Sequence, residues 1–334
     1  MKRKDQLKSI LVGATRGASH TPLETKTGRS VHAPPNSREI AVIKRNLKRA
    51  LQGFGYEIHK TELRSEEQAQ PRIAEPRAVE PVWPLPRRPG GFSDEEILKK
   101  AAKHDFWHYT YKFDGDVSFA ARHNDPNKLA DIPDRPLQRF RHFMPYLLQA
   151  QNGSLEGKRV LDIACNSGFW SIQCALLGAD VVGFDARAEL IEQANLIKGI
   201  VGTDNVEFRV LDFWDMSPQS LGGTFDIVLN LGILYHLPKP LEALELTRAM
   251  ADDCILLDTA IYPSGNAVIK LSWEEPDDIR KASNAGFVAF PSKGAIDLML
   301  KHMRVAEWFE IPLRTTDMPR DYLDDKRASW LIKV

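Results

Sequence analysis

Cysteine is scarce in this chain: three residues in 334, Cys165, Cys174 and Cys254, with no CxxC pair and no zinc-type spacing. That excludes a disulfide framework, leaves no metal site to expect, and fits a reducing compartment. Long apolar runs are also missing. Nothing approaches the roughly 20 residues that cross a bilayer, so no transmembrane segment is expected. The opening "MKRKDQLKSILVGATRG" is basic, but its apolar stretch from Ile10 to Ala14 is too short for a secretory signal. Asp5 and Glu24 interrupt a transit-peptide pattern, and the expected location is cytoplasmic. Net charge is absent as well, with 45 Lys and Arg against 45 Asp and Glu, but the balance is uneven. Residues 1–90 hold 18 basic against 9 acidic side chains, and the remainder holds 27 against 36. A basic arm on an acidic body points to an anionic surface, nucleic acid or membrane, or to a solvated tail drawn to its own body.

No internal repeat is visible. Residues 1–35 lack periodicity and read as a disordered basic tail. Residues 36–60 read as a basic amphipathic helix segment. Asn36 and Glu39 make a capping box, Gly53 and Gly55 close the helix, and Ile43, Leu47, Ala50 and Leu51 form its apolar stripe. Residues 36–55 suit peripheral contact with an anionic membrane surface, RNA, or the chain's own main domain. Six prolines between Pro71 and Pro89 make residues 61–91 an extended linker. Ser93 and Glu96 then cap "DEEILKKAAKH", and the main domain is expected over residues 92–334.

From residue 158 strand and helix alternate. "RVLDIA", "DVVGFD", "VEFRVLDF", "FDIVLNLGILYH" and "CILLDTAI" read as strands with helices between them. "VAEWFEIP" and "RASWLIKV" follow as an antiparallel final pair with no helix between them. The class is α/β, a mostly parallel sheet with helices on both faces. Ligands of such sheets sit beyond the carboxyl ends of the strands, so those ends are where chemistry is sought.

Three successive strands end in aspartate, Asp162, Asp185 and Asp212. Singly, each is equally a turn residue; together they describe a ligand. Asp185 suits a ribose diol, while Asp212 with Phe213 suits adenine. Asp162 at the start of the loop would repel a pyrophosphate but accept from an ammonium. The loop itself, "DIACNSG", has a single glycine, Gly168, with Ala164 and Asn166 at the other small-residue positions. It is not a phosphate cradle, and Gly168 leaves room for close backbone approach at the helix start. S-adenosylmethionine, with adenosine, an amino-acid tail and no phosphate, meets the description.

"VLDIACNSG", "VVGFD", "VLDF" and "FDIVLNLGILYHL" resemble, in order, the motifs of class I S-adenosylmethionine-dependent methyltransferases. "NLGILYHLPKPLEAL" resembles more narrowly the tRNA wobble-uridine carboxymethyltransferase group and its plain methyltransferase relatives. "FWHYTYKFDGDVSF", "FPSKGAIDLMLKHM" and "KRASWLI" extend the likeness over roughly residues 105–334. The resemblance implies a Rossmann-like, seven-stranded sheet with an antiparallel final strand. It implies that Asp162, Ala164, Asn166 and Gly168 line the methionine side, Asp185 binds ribose, Asp212 lies at adenine and Asn230 lies beside the sulfonium. In the carboxymethyl enzymes a tyrosine and a late arginine grip an extra carboxylate, and Tyr235 and Arg327 stand at the matching places. The tryptophan and lysines that assist there have no counterpart in "DIPDRPLQRFRHF", where Arg135 and Arg139 are poor substitutes. S-adenosylmethionine is therefore the expected donor ahead of its carboxylated form.

In-line methyl displacement needs alignment and, for a hydroxyl or amine, a base. His236 is the candidate base, Tyr235 shapes the transfer channel, and Cys165 packs. Residues 262–291 read as an insertion that covers the substrate, its acids Glu274, Glu275, Asp277 and Asp278 set to repel a phosphate backbone. The expected acceptor is a nucleophile on a small metabolite or glycan. A tRNA modifier is the alternative, and a cofactor-binding protein without turnover is the third.

Overall fold

The computed structural model describes residues 74–122, 134–277, 281, 282, 284 and 286–334. The tail, the helix expected within residues 36–60, the first part of the proline-rich segment and Asp278 lie outside the described residues.

The rest of the proline-rich segment is extended, as its prolines require, but it is no free linker. Leu85 is buried and bridges Phe113, its N–H donating to Lys112 O at 2.9 Å. Val82 N donates to Gln173 Oε1, and that amide returns a bond to Val82 O. Helix α1 (Asp94–Ala101) carries the reciprocal Ser93–Glu96 capping box read in the sequence. A small hairpin, β1 (Tyr111–Lys112) and β2 (Ser118–Phe119), precedes helix α2 (Arg135–Ala150).

The alternating region follows. It runs β3 (Arg159–Ile163), α3 (Phe169–Leu176), β4 (Asp180–Asp185), α4 (Ala188–Val201) and β5 (Val206–Val210). A one-turn helix α5 (Pro218–Leu221), β6 (Phe225–Leu231), α6 (Pro240–Ala249) and β7 (Ala251–Ala260) continue it. An antiparallel hairpin, β8 (Ile269–Glu274) and β9 (Gly286–Pro291), occupies the expected insertion. Helix α7 (Lys293–His302), β10 (Glu307–Glu310), a short α8 (Arg320–Leu323) and β11 (Arg327–Lys333) end the chain. So a helical turn does separate the last two strands, which the sequence reading left out.

The seven-stranded sheet has the order β5-β4-β3-β6-β7-β11-β10. β11 runs antiparallel to both neighbours, and the five strands from β5 to β7 are parallel. Because side chains alternate along a strand, two apolar layers form. Val160, Ile227, Leu229 and Leu256 join one, while Leu161, Val228, Ile255 and Leu257 join the other. Strands apolar on both faces are what a helix-covered parallel sheet requires. The chain leaves β3 toward β4 and β5, then returns to β6 on the other side. The loops after β3 and β6 therefore diverge, opening a crevice at the carboxyl ends of the strands.

Among the described residues no helix is long and apolar enough to cross a membrane.

Candidate active site

The loop after β3 does without two of the usual glycines by placing other residues in the left-handed region. Ala164 has φ 54° and Asn166 φ 53°, beside Gly168 at 82°. Asn166 supports its own turn, its Oδ1 accepting from Ser167 N at 2.7 Å. The loop is tied to the next strand by Asp185, whose Oδ2 accepts from Asn166 N at 3.2 Å. From below, Tyr111 donates its hydroxyl to Ser167 O at 2.9 Å, and His108 Nδ1 lies 3.1 Å from Asn166 Nδ2. The aromatic stretch around residues 106–119 is thus the seat of the loop.

Gly168 is needed, though for a different reason from the one expected. A Cβ there would lie 2.7 Å from the Phe208 ring and 3.1 Å from Ala194 Cβ. The Cβ position of the glycine faces protein, and the glycine is in the wall of neither cavity at the strand ends.

Two adjoining cavities make one cleft along the strand ends. The first, about 300 Å³, is walled by Phe184, Asp185, Leu211, Asp212, Phe213, Ile233 and Phe287. The second, about 500 Å³, is lined by His108, Asn166, Arg135, Arg139, Tyr235, Glu274 and Arg327. Ala164, Asp185, Arg187, Ile233, His236 and Lys281 border both. Asp185 also accepts from Arg187 N through Oδ1 at 3.1 Å, and burial holds its carboxyl above the usual range. Asp212 accepts from Trp214 N at 2.9 Å, which fixes the turn that presents Phe213.

Two more expected cofactor residues are not in the wall. Asp162, 1% exposed, points with Val160 into the layer under α3 and accepts from Ser171 Oγ at 2.6 Å. Burial lifts its carboxyl to about 7. Asn230, fully buried, shares the parity of Val228 and turns away under α6, donating to Thr247 Oγ1 at 3.1 Å. The position beside it in the cleft belongs to Leu231 and Gly232.

His236 stands where the two cavities meet. Its Nδ1 is 2.6 Å from Glu274 Oε2, and the same oxygen accepts from Ala282 N at 2.8 Å. Burial raises the Glu274 carboxyl, but these hydrogen bonds outweigh it and hold it below the usual range. Among the described residues the acids of the insertion are engaged, with Glu275 accepting from Trp273 Nε1 and Asp277 paired with Lys281. The Tyr235 ring lies 4.0 Å from that of His236, stacks on Phe290, and sits under the Arg327 guanidinium at 5.2 Å. Arg135 and Arg139, discounted in the sequence, converge on the same cavity as Arg327.

The family described as Methyltransferase domain matches residues 154–284. A tRNA U34 carboxymethyltransferase of Helicobacter hepaticus is 28% identical over 137 residues, 39% of this chain and 43% of that protein. A ubiquinone biosynthesis O-methyltransferase of Bordetella avium is 31% identical over 133 residues, 40% of this chain and 53% of that protein. The chain thus spans about half the length of the curated relatives it matches. Among solved structures, the N-terminal domain of EvdMO1, crystallised with SAH and D-fucose, aligns with a TM-score of 0.58 at 20% identity. It covers 74% of this chain and 100% of that one. Strand order, the order of the loop motifs and the family match agree: residues 154–284 match the methyltransferase-domain family, on a class I fold.

Proposed function

We propose that this chain moves a methyl group from S-adenosylmethionine to an oxygen, nitrogen or carbon nucleophile on a small metabolite or glycan. The observation that carries the reading is the donor set of the cleft. Two strand-end aspartates flank its apolar half, and a paired histidine stands where the charged half begins.

The residues fit the cofactor. Asp185 spends two lone-pair sites on backbone N–H groups and keeps others for a ribose diol. Asp212 and Phe213 offer an acceptor and an apolar surface to adenine, and Ala164 and Asn166 border the methionine side. A dinucleotide would bring phosphates to carboxylates, where it needs N–H donors. A volume of about 300 Å³ for one half and about 500 Å³ for the other suits ligand binding. When bound, the cofactor supplies an electrophilic methyl on a sulfonium.

The chain's own residues then align, exclude and deprotonate. Most of the acceleration comes from holding the nucleophile in line with the methyl group. Tyr235 forms the wall of the transfer channel. Glu274 takes the Nδ1–H of His236, which leaves Nε2 for the acceptor's proton. Asp162 acts from behind the loop, through α3. A cytoplasmic location, from the sparse cysteines, and contact of residues 36–55 with an anionic surface, from charge, belong to the proposal. Calorimetry with S-adenosylhomocysteine tests the reading. Binding by the wild-type chain, weakened at least tenfold in Asp185→Ala, is the expected result, and no binding by the wild-type chain contradicts it.

A second reading is carboxymethyl transfer to a tRNA wobble uridine. It is supported by the Helicobacter hepaticus relative and by the convergence of Arg135 and Arg139 with Tyr235 and Arg327. A purified ligand heavier than S-adenosylmethionine by one carboxylate would favour it.

A further inference from the structure

The hairpin of β8 and β9 has two unlike sides. One serves the cleft: Glu274 holds His236, and Phe290 stacks on Tyr235. The other is apolar and open to solvent. Leu271 and Trp273 are each 59% exposed, and Phe287, edge-on to the Trp273 ring, is 60% exposed. Apolar side chains scattered singly on a surface need no explanation. Ile269, Leu271 and Trp273 instead alternate along one strand, and Phe287 lies directly across from Trp273.

The strand that carries them is an open edge. β8 pairs with β9 alone, in a sheet of two strands and in unbroken register. Ser292 N donates to Val268 O at 2.9 Å, which sets the alternation of the ladder. Even-numbered residues of β8 turn their N–H and C=O groups to β9. Those of Ile269, Leu271 and Trp273 face the edge, where no described residue bonds them. Natural edges are guarded by proline, bulges or unmatched charge, and a two-stranded sheet is marginal by itself. β8 has no proline and no bulge, and its lysine has a match.

That match is in the strand itself, because "IKLSWE" is complementary to its own reverse. In an antiparallel pair centred on Ser272, Lys270 stands opposite the second copy's Glu274, twice by symmetry. Leu271 stands opposite the second copy's Trp273, on the apolar face. Backbone parity agrees. Leu271 and Trp273, whose backbone groups face the edge, take the hydrogen-bonded positions, and Lys270, Ser272 and Glu274 take the closer non-hydrogen-bonded ones. Glu274 meets both His236 and Ala282 N through Oε2, which leaves Oε1 for the lysine.

We propose that β8 is a dimer interface: two copies of this chain join it antiparallel about a twofold axis at Ser272. The product is a four-stranded sheet that braces the Glu274 wall of each cleft. The inference goes beyond methyl transfer, and its test reads mass rather than activity.

Sedimentation of the full-length protein at micromolar concentration should give a mass twice 37.7 kDa. Lys270→Glu sets like charges opposite each other at two places and should weaken association at least tenfold. Ser272→Cys puts two thiols at the twofold axis, with Cα atoms about 4.5 Å apart and within disulfide reach. Cys165, Cys174 and Cys254 are buried, so mild oxidation should convert this variant alone into a covalent dimer. Lys270→Cys, displaced from its mate by about 14 Å along the strands, should stay uncrosslinked. A wild-type monomer overturns the proposal. So does a dimer that Lys270→Glu leaves intact, that Ser272→Cys fails to crosslink, or that Lys270→Cys crosslinks as readily.

Discussion

His236 Nδ1 and Glu274 Oε2 lie 2.6 Å apart across 38 residues of sequence, one on the turn after β6 and the other at the end of β8. The pair fixes which ring nitrogen faces the cleft. His236→Ala should lower kcat by roughly 10²- to 10⁴-fold, the usual contribution of a positioned base. Glu274→Gln keeps the shape and a bond from Ala282 N but no longer fixes the ring through a charged acceptor. It should cost about tenfold in kcat and move the pH profile of the reaction, with KM little changed. Steady-state kinetics across pH check both, and an unaltered profile in the glutamine variant would remove Glu274 from the account.

Asp185 serves both the loop and the ligand. Asp185→Asn retains a side-chain oxygen for one backbone N–H but surrenders the charged acceptor. The loss of charge-assisted hydrogen bonds, about 1.5–3 kcal/mol, should weaken S-adenosylhomocysteine by roughly 10- to 100-fold. Calorimetry reads it directly.

Gly168 is a packing position. Gly168→Ala places Cβ 2.7 Å from Phe208 at a φ of 82°, so both sterics and backbone oppose it. The expected cost is about 2 kcal/mol, or roughly 4–8 °C in Tm for a domain of this size. Adding Phe208→Leu should recover part of the loss, because it relieves the clash and leaves the strained φ. No recovery would mean that Phe208 does not set the constraint.

Asp162 makes stability depend on pH in an uncommon direction. Burial raises its folded value to about 7, from the 3.8 of a free aspartate. Between those values the folded state binds the proton that the unfolded state has released. Stability is therefore highest near pH 4 with respect to this group, falls as pH rises through 7, and is level above it. The drop is on the order of 4 kcal/mol. Asp162→Asn cannot ionise, and its denaturation midpoint in the ligand-free protein should lack this fall between about pH 4 and 7. Parallel curves for the two proteins would contradict the assignment.

Most of the sheet was legible because its strands are apolar on both faces and alternate with helical segments. The Ser93–Glu96 box and the ends of β4 lie where the sequence puts them. Helix α2 was not legible. "DIPDRP" reads as breakers, and Pro145 lies inside the helix, so tertiary packing of Phe140, Phe143 and Leu147 outweighs local preference.

The site divides along the same line. Asp185 and Asp212 could be found because strand ends are marked in the sequence and ligands gather there. Asn230 was misplaced because motif order ignores side-chain parity, whereas the alternation Ile227, Val228, Leu229 already assigns it to the α6 side. Glu274 and the arginine cluster leave no local signal. They meet the cleft only once β8, α2 and β11 are brought together, and no spacing in the chain encodes that.

The central claim is tested most directly by native mass spectrometry of the full-length protein as purified, and again after S-adenosylhomocysteine is added. The account predicts one ligand per chain with the mass of S-adenosylmethionine or its demethylated product, reduced or lost in Asp185→Asn. A wild-type protein that carries no such mass and takes up none when it is offered would contradict it.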